Sequence, residues 1–185
     1  MTLIGTLHIV TSTTKTESAI DYENPWVYDG RPFTSDDIND YYGFVYSIIN
    51  TLSGKRYIGR KYFWQHRTPK GKKRKVKSES DWKKYYGSSK ELIEDKKKFG
   101  AMAFKRTIIS IHNTKGLVNF NETKQLFLNN VLTEAMEDGS PAYYNSNILG
   151  RYMRKDYFNA WQTLGHRLYY WGSSDTCFSW VGLIS

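Results

Sequence analysis

Residues 42–50, Tyr-Gly-Phe-Val-Tyr-Ser-Ile-Ile-Asn, and residues 56–61, Arg-Tyr-Ile-Gly-Arg-Lys, flank the short polar linker Thr51 to Lys55, and this pairing constrains the fold more than any other feature. Phe44, Val45, Ile48 and Ile49 suit a strand, Asn50 to Gly54 supply turn chemistry, and Tyr57-Ile58 resumes the extended pattern. The reading is a β-hairpin. With residues 50–53 as a four-residue loop, Ile49 faces Gly54 and Tyr46 lies directly opposite Tyr57, because antiparallel partners keep a constant index sum. Two phenols then share one face of a sheet.

The rest of the chain reads as α+β. Ser88 and Ser89 are N-cap candidates for a helix running to about Phe99, where Gly100 ends it, with Leu92, Ile93, Lys96 and Phe99 as its buried stripe. Residues 104–111 have the β-branched content of a third strand. A second helix is expected from Val118 to about Met136, with Phe120, Leu126, Phe127, Val131 and Leu132 facing inward. Tyr62-Phe63-Trp64 is expected to begin a short helix. The apolar alternation of Met1 to Val10 suggests a strand; it lacks the basic flank and long apolar run of a signal peptide.

Charge is unevenly placed. The 185-residue chain carries a formal +9, yet residues 1–41 carry −5, leaving +14 for the remainder. Nine cations and no carboxylate fall between Arg60 and Lys77. A block of this kind repels itself and seeks a polyanion; the competing reading is a solvated loop. The single cysteine, Cys177, excludes an internal disulfide and a cysteine-based zinc site, and no stretch approaches the length of a membrane span. The size suits one compact domain with terminal additions: an acidic extension (1–41), a core (42–150) with a basic insertion at 68–80, and an aromatic extension (151–185) containing Tyr169, Tyr170, Trp171, Phe178 and Trp180.

The hairpin resembles the hallmark of the GIY-YIG nuclease family. Phe44-Val45-Tyr46 stands where that family has Gly-Ile-Tyr, with Gly43 one place early, and Tyr57-Ile58-Gly59 matches the second half letter for letter. The resemblance spans roughly residues 42–150 and implies a three-stranded antiparallel sheet flanked by helices. It implies a metal-dependent endonuclease hydrolysing phosphodiesters of double-stranded DNA, of the compact kind found in phages and mobile elements and working in the cytoplasm of a bacterial or phage-infected cell. Homing and host-DNA degradation both fit. Two other readings stay open: a non-catalytic nucleic-acid-binding module on a degenerate nuclease fold, and a structure-specific nuclease for branched DNA.

Carried over by position, Tyr46 activates the water, a role that needs cations near a phenol whose ordinary pKa is about 10. Tyr57 orients that water or the scissile phosphate, and Gly59 lets the backbone turn into a helix. Glu122 is the candidate ligand for Mg2+ or Mn2+, since magnesium suits one carboxylate plus waters and phosphate oxygens; Glu134 and Glu137 compete with it. Arg67 is the candidate phosphate-gripping arginine, with Arg60 and then Arg74 as rivals. The family's histidine or tyrosine four residues after the arginine is Gly71 here, so His66, Tyr85 or Tyr86 takes that place. Asn145, in Tyr143-Tyr144-Asn145, either supports the site by hydrogen bonding or is a turn residue. Arg60, Lys61, Lys72, Lys73, Arg74, Lys75, Lys83 and Lys84 are the candidate DNA-binding cations, with Trp82 serving either as a wedge near the minor groove or as core. Sequence preference is then either modest or drawn from the basic loop and from self-association as a homodimer on DNA.

Overall fold

The computed structural model describes residues 22–158 apart from 69, 70 and 72. The readings made for Met1 to Val10, for Lys72, for Cys177 and for the aromatic tail beyond residue 158 lie outside the described residues. The fold is α+β, and its centre is the hairpin of β3 (Gly43–Asn50) and β4 (Arg56–Tyr62). Strand β7 (Phe104–His112) pairs antiparallel with the other side of β3, so these three strands form the expected antiparallel core.

The sheet is wider than expected. A two-residue strand β1 (Val27–Tyr28) pairs parallel with β7, and β2 (Arg31–Pro32) closes the outer side, giving five strands in the order β2-β1-β7-β3-β4. The added strands come from the acidic segment, which is therefore built into the sheet. Trp26, Phe33 and Ile38 are buried with Phe44, Tyr46, Phe63 and Trp82 in the larger core. That core occupies one face of the sheet, and Trp82 belongs to it. The opposite face holds Val45, Ile58, Leu126, Val131, Leu132, Tyr143 and Ile148. The period-two alternation of strands sorts the two sets.

The hairpin register differs from expectation by one residue on each strand. Asn50 joins the strand: its N–H donates to Lys55 O at 2.9 Å, while its buried side-chain oxygen accepts from Leu52 N at 3.0 Å. The four-residue loop is therefore 51–54, closed by Gly54 at φ +77°, where a left-handed backbone favours glycine. Tyr46 consequently faces Gly59, and Tyr57 faces Ile48. Tyr46 and Tyr57 still lie on one face, as diagonal neighbours with ring centroids 6.1 Å apart.

Helix α1 (Lys90–Phe99) begins at Ser89, whose hydroxyl accepts from Leu92 N, and stops at Gly100. Only Leu92 of its expected stripe is fully buried; Ile93 and Phe99 are exposed. Helix α2 (Lys115–Leu128) begins earlier and ends eight residues sooner than expected, because its C-terminus breaks at Asn129 and Asn130, the latter at φ +48°. Val118 and Leu126 face the sheet, whereas Phe120 and Phe127 are exposed; Val131 and Leu132 reach the core from the turn after the helix.

No helix forms at Tyr62-Phe63-Trp64. The chain passes from β4 into a separate two-stranded antiparallel ribbon, β5 (Trp64–Arg67) and β6 (Val76–Glu79), holding the basic run. The Ser80 N–H donates to Phe63 O at 2.7 Å and the Ser80 hydroxyl to Tyr62 O at 2.6 Å, which closes the ribbon's base. A small hairpin of β8 (Asn147–Ile148) and β9 (Tyr152–Met153) follows. No helix among the described residues is long and apolar enough to cross a membrane.

Candidate active site

The outer edge of β4 organises the site. An open strand edge presents unpaired N–H and C=O groups, and each outward-facing residue here has a different partner. At Arg56 the partner is backbone: its N–H donates to Ala142 O at 2.9 Å and its carbonyl accepts from Tyr144 N at 2.7 Å. At Ile58 it is Asn145, whose side chain accepts from Ile58 N at 3.0 Å and donates to Ile58 O at 2.7 Å. Beside Arg60 stands Glu122, whose carboxylate takes the guanidinium of that residue. Asn145 thus clamps the strand between Tyr57 and Gly59, a hydrogen-bonding duty that a simple turn asparagine does not have.

Where the covering segment ends, a cleft of about 400 Å³ opens, lined by Tyr57, Arg60, Ser88, Glu122, Tyr144 and Asn145 among others. Glu122 comes from the middle of α2 with its side chain 12% exposed, and burial pushes its carboxyl up from the ordinary value against the opposing pull of Arg60. Arg60 also donates from Nε to the Tyr62 hydroxyl at 3.2 Å, and Tyr62 in turn donates to Asn119 at 2.6 Å. The guanidinium is therefore held in position beside Glu122, the one carboxylate lining the cleft among the described residues.

Tyr46 and Tyr57 close on Gly59, and Tyr85 meets the Tyr46 ring edge-on. A Cβ on Gly59 would sit 2.7 Å from the Tyr46 hydroxyl oxygen and 2.9 Å from Tyr57 Cε1. Gly59 lies inside β4 and no helix follows it, so its role is to leave space for the Tyr46 phenol and not to turn the chain. Tyr46 is fully buried, its ring 4.9 Å from Trp26 and 6.2 Å from Tyr85. The Tyr85 phenol is itself raised from its ordinary value, by burial first and then by Tyr57. Desolvation, Tyr57 and Tyr85 together push the Tyr46 phenol well above its ordinary value, so it keeps its proton at neutral pH. Tyr57 reaches the cleft, its hydroxyl 3.2 Å from Ser88 Oγ.

Tyr85 links this buried group to the surface. Lys61 Nζ lies 3.9 Å from the centre of its ring and 2.7 Å from Asp81. The backbone at Tyr85 is held from beneath by Arg106, a fully buried arginine whose guanidinium donates to Lys83 O at 2.9 Å, to Tyr85 O at 3.1 Å and to Asn24 O. The same guanidinium stacks on Trp26 and Tyr86, at 4.6 and 4.5 Å. Arg106 was not singled out from sequence, and a lone arginine in a β-branched strand carries no local signal of burial.

The structure brings Tyr46, Tyr57, Arg60, Glu122 and Asn145 together, with Tyr85 and Lys61 beside them. It does not bring Arg67 or His66 into the cleft, since both are exposed on the ribbon. Lys73, Arg74 and Lys75 are exposed near the ribbon tip and Lys84 on the surface, while Lys83 lies within 6 Å of the Tyr22 and Trp82 rings. Glu134 pairs with Arg56 at 3.6 Å, away from the cleft lining.

A family model described as "Putative endonuclease segE, GIY-YIG domain" matches residues 26–148, about two thirds of the chain. The chain belongs to the GIY-YIG nuclease family. The match starts at Trp26, the first buried core residue among the described residues of the acidic segment, so the GIY-YIG unit here includes β1 and β2 as well as the hairpin. It ends at Ile148, just after the Asn145 clamp. No curated protein and no solved structure matches the chain.

Proposed function

We propose that the chain is a divalent-metal-dependent endonuclease that hydrolyses phosphodiesters of double-stranded DNA in the cleft at the outer edge of β4. The observation that carries this reading is the convergence of Tyr57, Arg60 and Glu122 on one polar cleft. Hydrolysis forms a bond from a water oxygen to phosphorus and breaks the ester bond to one sugar oxygen. It needs an oriented water, cationic groups on the non-bridging oxygens, and stabilisation of the leaving alkoxide.

Each need has a candidate group. Tyr57 presents its phenol to the cleft and orients the attacking water. Arg60 carries a planar fork of donors suited to phosphate oxygens. When phosphate enters, the guanidinium exchanges its Glu122 partner for the substrate, freeing the carboxylate. Glu122 is the residue that would hold Mg2+ or Mn2+, and one carboxylate facing a polar cleft is the donor set magnesium accepts alongside waters and phosphate oxygens. Such an ion would supply Lewis-acid stabilisation of the charge on the phosphate oxygens and on the leaving alkoxide. Tyr46 is a protonated phenol wedged behind Tyr57 and Tyr85, and it sets their positions. Asn145 fixes the stretch of β4 that carries Tyr57.

The test is conversion of supercoiled plasmid in magnesium or manganese by wild type, Glu122→Gln and Tyr57→Phe, with a chelator control. Nicking or linearisation by wild type, lost in both folded variants, supports the assignment. A wild type that binds DNA and never cuts plasmid or branched substrates makes the chain a binding module on a nuclease fold.

A further inference from the structure

The β5–β6 ribbon has no part in the core sheet or the cleft, and its two faces differ. Directly opposed residues of an antiparallel pair share a face, so Trp64, His66, Lys77 and Glu79 lie on one side and Gln65, Arg67, Val76 and Ser78 on the other. The first face is tied to the body. Trp64 Nε1 donates to Tyr41 O at 3.1 Å, Lys77 Nζ stacks 4.2 Å from the Trp64 ring, and Glu79 accepts from the Ser35 hydroxyl at 3.0 Å. The second face is turned outward, and Gln65, which donates to Glu79 O at 3.0 Å, is tied only at the base.

Two properties of the outward face ask for a partner. Val76 is 44% exposed although it stands in a strand between Lys75 and Lys77. Residues 66–78 contain no carboxylate, and Arg67, Lys73, Arg74, Lys75 and Lys77 make no ion pair among the described residues. Four clustered cations, Arg67, Lys73, Arg74 and Lys75, beside an exposed aliphatic side chain, with Lys77 on the other face, match a polyanion that also offers methyl groups, which duplex DNA does through thymine in the major groove.

Dimensions agree. Two paired strands lie about 4.8 Å apart, and the major groove of B-DNA, about 12 Å wide, admits a two-stranded ribbon with its side chains. The major groove of an RNA duplex is too narrow for one. The ribbon also leaves the body directly from β4, the strand carrying Tyr57 and Arg60, and the Asp81 carboxyl is held below its ordinary value by the Lys61 hydrogen bond, with a smaller contribution from Arg67. Asp81 is the partner of Lys61, which covers Tyr85 beside the cleft.

We propose that the β5–β6 ribbon reads sequence in the DNA major groove, with Arg67 and Val76 meeting base edges and Lys73, Arg74, Lys75 and Lys77 holding the flanking phosphates. The proposal rests on the DNA-cleaving reading for its substrate. Arg67, expected from sequence to grip the scissile phosphate, instead supplies a bidentate guanine contact. Val76 supplies the apolar contact to a thymine methyl.

The experiment is selection of duplexes from a randomised pool by the full chain in chelator, so that the readout is binding and not cleavage. Wild type is expected to enrich a short motif in which one base pair is preferred about 5- to 150-fold, the range of a good bidentate pair. Arg67→Lys keeps the charge and loses the fork: the preference at that base pair should vanish while affinity for the unselected pool holds within about threefold. Val76→Ala should relax a thymine elsewhere in the motif. Lys75→Gln combined with Lys77→Gln should keep the motif and lower the slope of log affinity against log salt by about 2. A wild type that binds the pool without a motif, or a motif unchanged in Arg67→Lys and Val76→Ala, overturns the proposal. A chain that selects through Arg67 yet leaves plasmid intact with magnesium refutes the nuclease reading and leaves the ribbon standing.

Discussion

Gly59→Ala should damage cleavage without touching any polar group of the cleft. The added methyl would lie 2.7 Å from the Tyr46 oxygen, 2.9 Å from Tyr46 Cζ and 2.9 Å from Tyr57 Cε1. Ordinary carbon contacts are about 3.5 Å or longer, so one ring has to give by more than half an ångström. Tyr46 is fully buried against Trp26 and cannot retreat cheaply, which leaves a shift of Tyr57 or a local spreading of the β3–β4 pair. Overpacking of this kind costs about 1–3 kcal/mol. For a chain of this size that is a fall in Tm of roughly 2–12 °C, read by differential scanning calorimetry. A displacement approaching 1 Å at a positioning residue costs about 10²-fold in rate. The expected result is therefore a folded, DNA-binding protein cutting about 10²-fold more slowly under single-turnover conditions. Adding Tyr46→Phe removes the oxygen nearest the methyl, so the double variant should lose less stability than the two single losses combined. Wild-type Tm and cleavage in Gly59→Ala, or strictly additive losses in the double variant, would refute the packing argument.

Other consequences are open to direct measurement. Glu122→Gln should abolish cleavage yet leave Tm equal to or above wild type, because burial already disfavours the Glu122 charge; a substantially lower Tm would mean that the Arg60 pair is a net stabiliser. Asn145→Ala strips both partners from a buried strand residue and should cost about 2–4 kcal/mol in denaturant unfolding, together with loss of cleavage. Arg106→Lys retains the charge but not the fork that reaches several backbone carbonyls, and should lower stability by at least about 2 kcal/mol. Tyr144 is pushed up to about 12 by burial and by its donation to Asp95 at 2.7 Å. A raised phenol contributes fully below the unfolded value of about 10 and loses that contribution as pH rises through the folded one. Stability measured between pH 9 and 12 should therefore fall less steeply in Tyr144→Phe.

Much of the core was legible because it is local. The strand alternation of residues 43–50, the Ser89 cap, the Gly100 stop and the β-branched run at 104–112 are all short-range signals. The hairpin slipped by one residue because Asn50 is recruited into the strand by Tyr144, whose hydroxyl accepts from its side chain at 3.0 Å across 94 residues of sequence. The two-residue strands β1 and β2 are too short to show a period, and Trp26 and Phe33 beside them gave no sign of lying at the centre of the core. The ribbon was read as a loop with a helix before it because its cations conceal the alternation of a strand. That Arg60 and not Arg67 shares the cleft with Glu122 follows from where α2 places that carboxylate, a tertiary fact that spacing from Tyr57 does not contain. Tyr85 was named from sequence only as one substitute among several, since nothing local distinguishes it from Tyr86 in the run Lys83 to Gly87.

Phosphodiester chemistry is proposed to take place where Tyr57, Arg60 and Glu122 converge. The most direct test is the single-turnover rate on a defined linear duplex with magnesium, measured for wild type, Arg60→Gln and Arg67→Gln at protein concentrations that saturate each. Arg60→Gln is expected to slow cleavage by at least about 10²-fold at saturation, while Arg67→Gln should cut at a rate within about tenfold of wild type once bound. The reverse order, or a wild type that leaves the duplex intact, would contradict that placement of the chemistry.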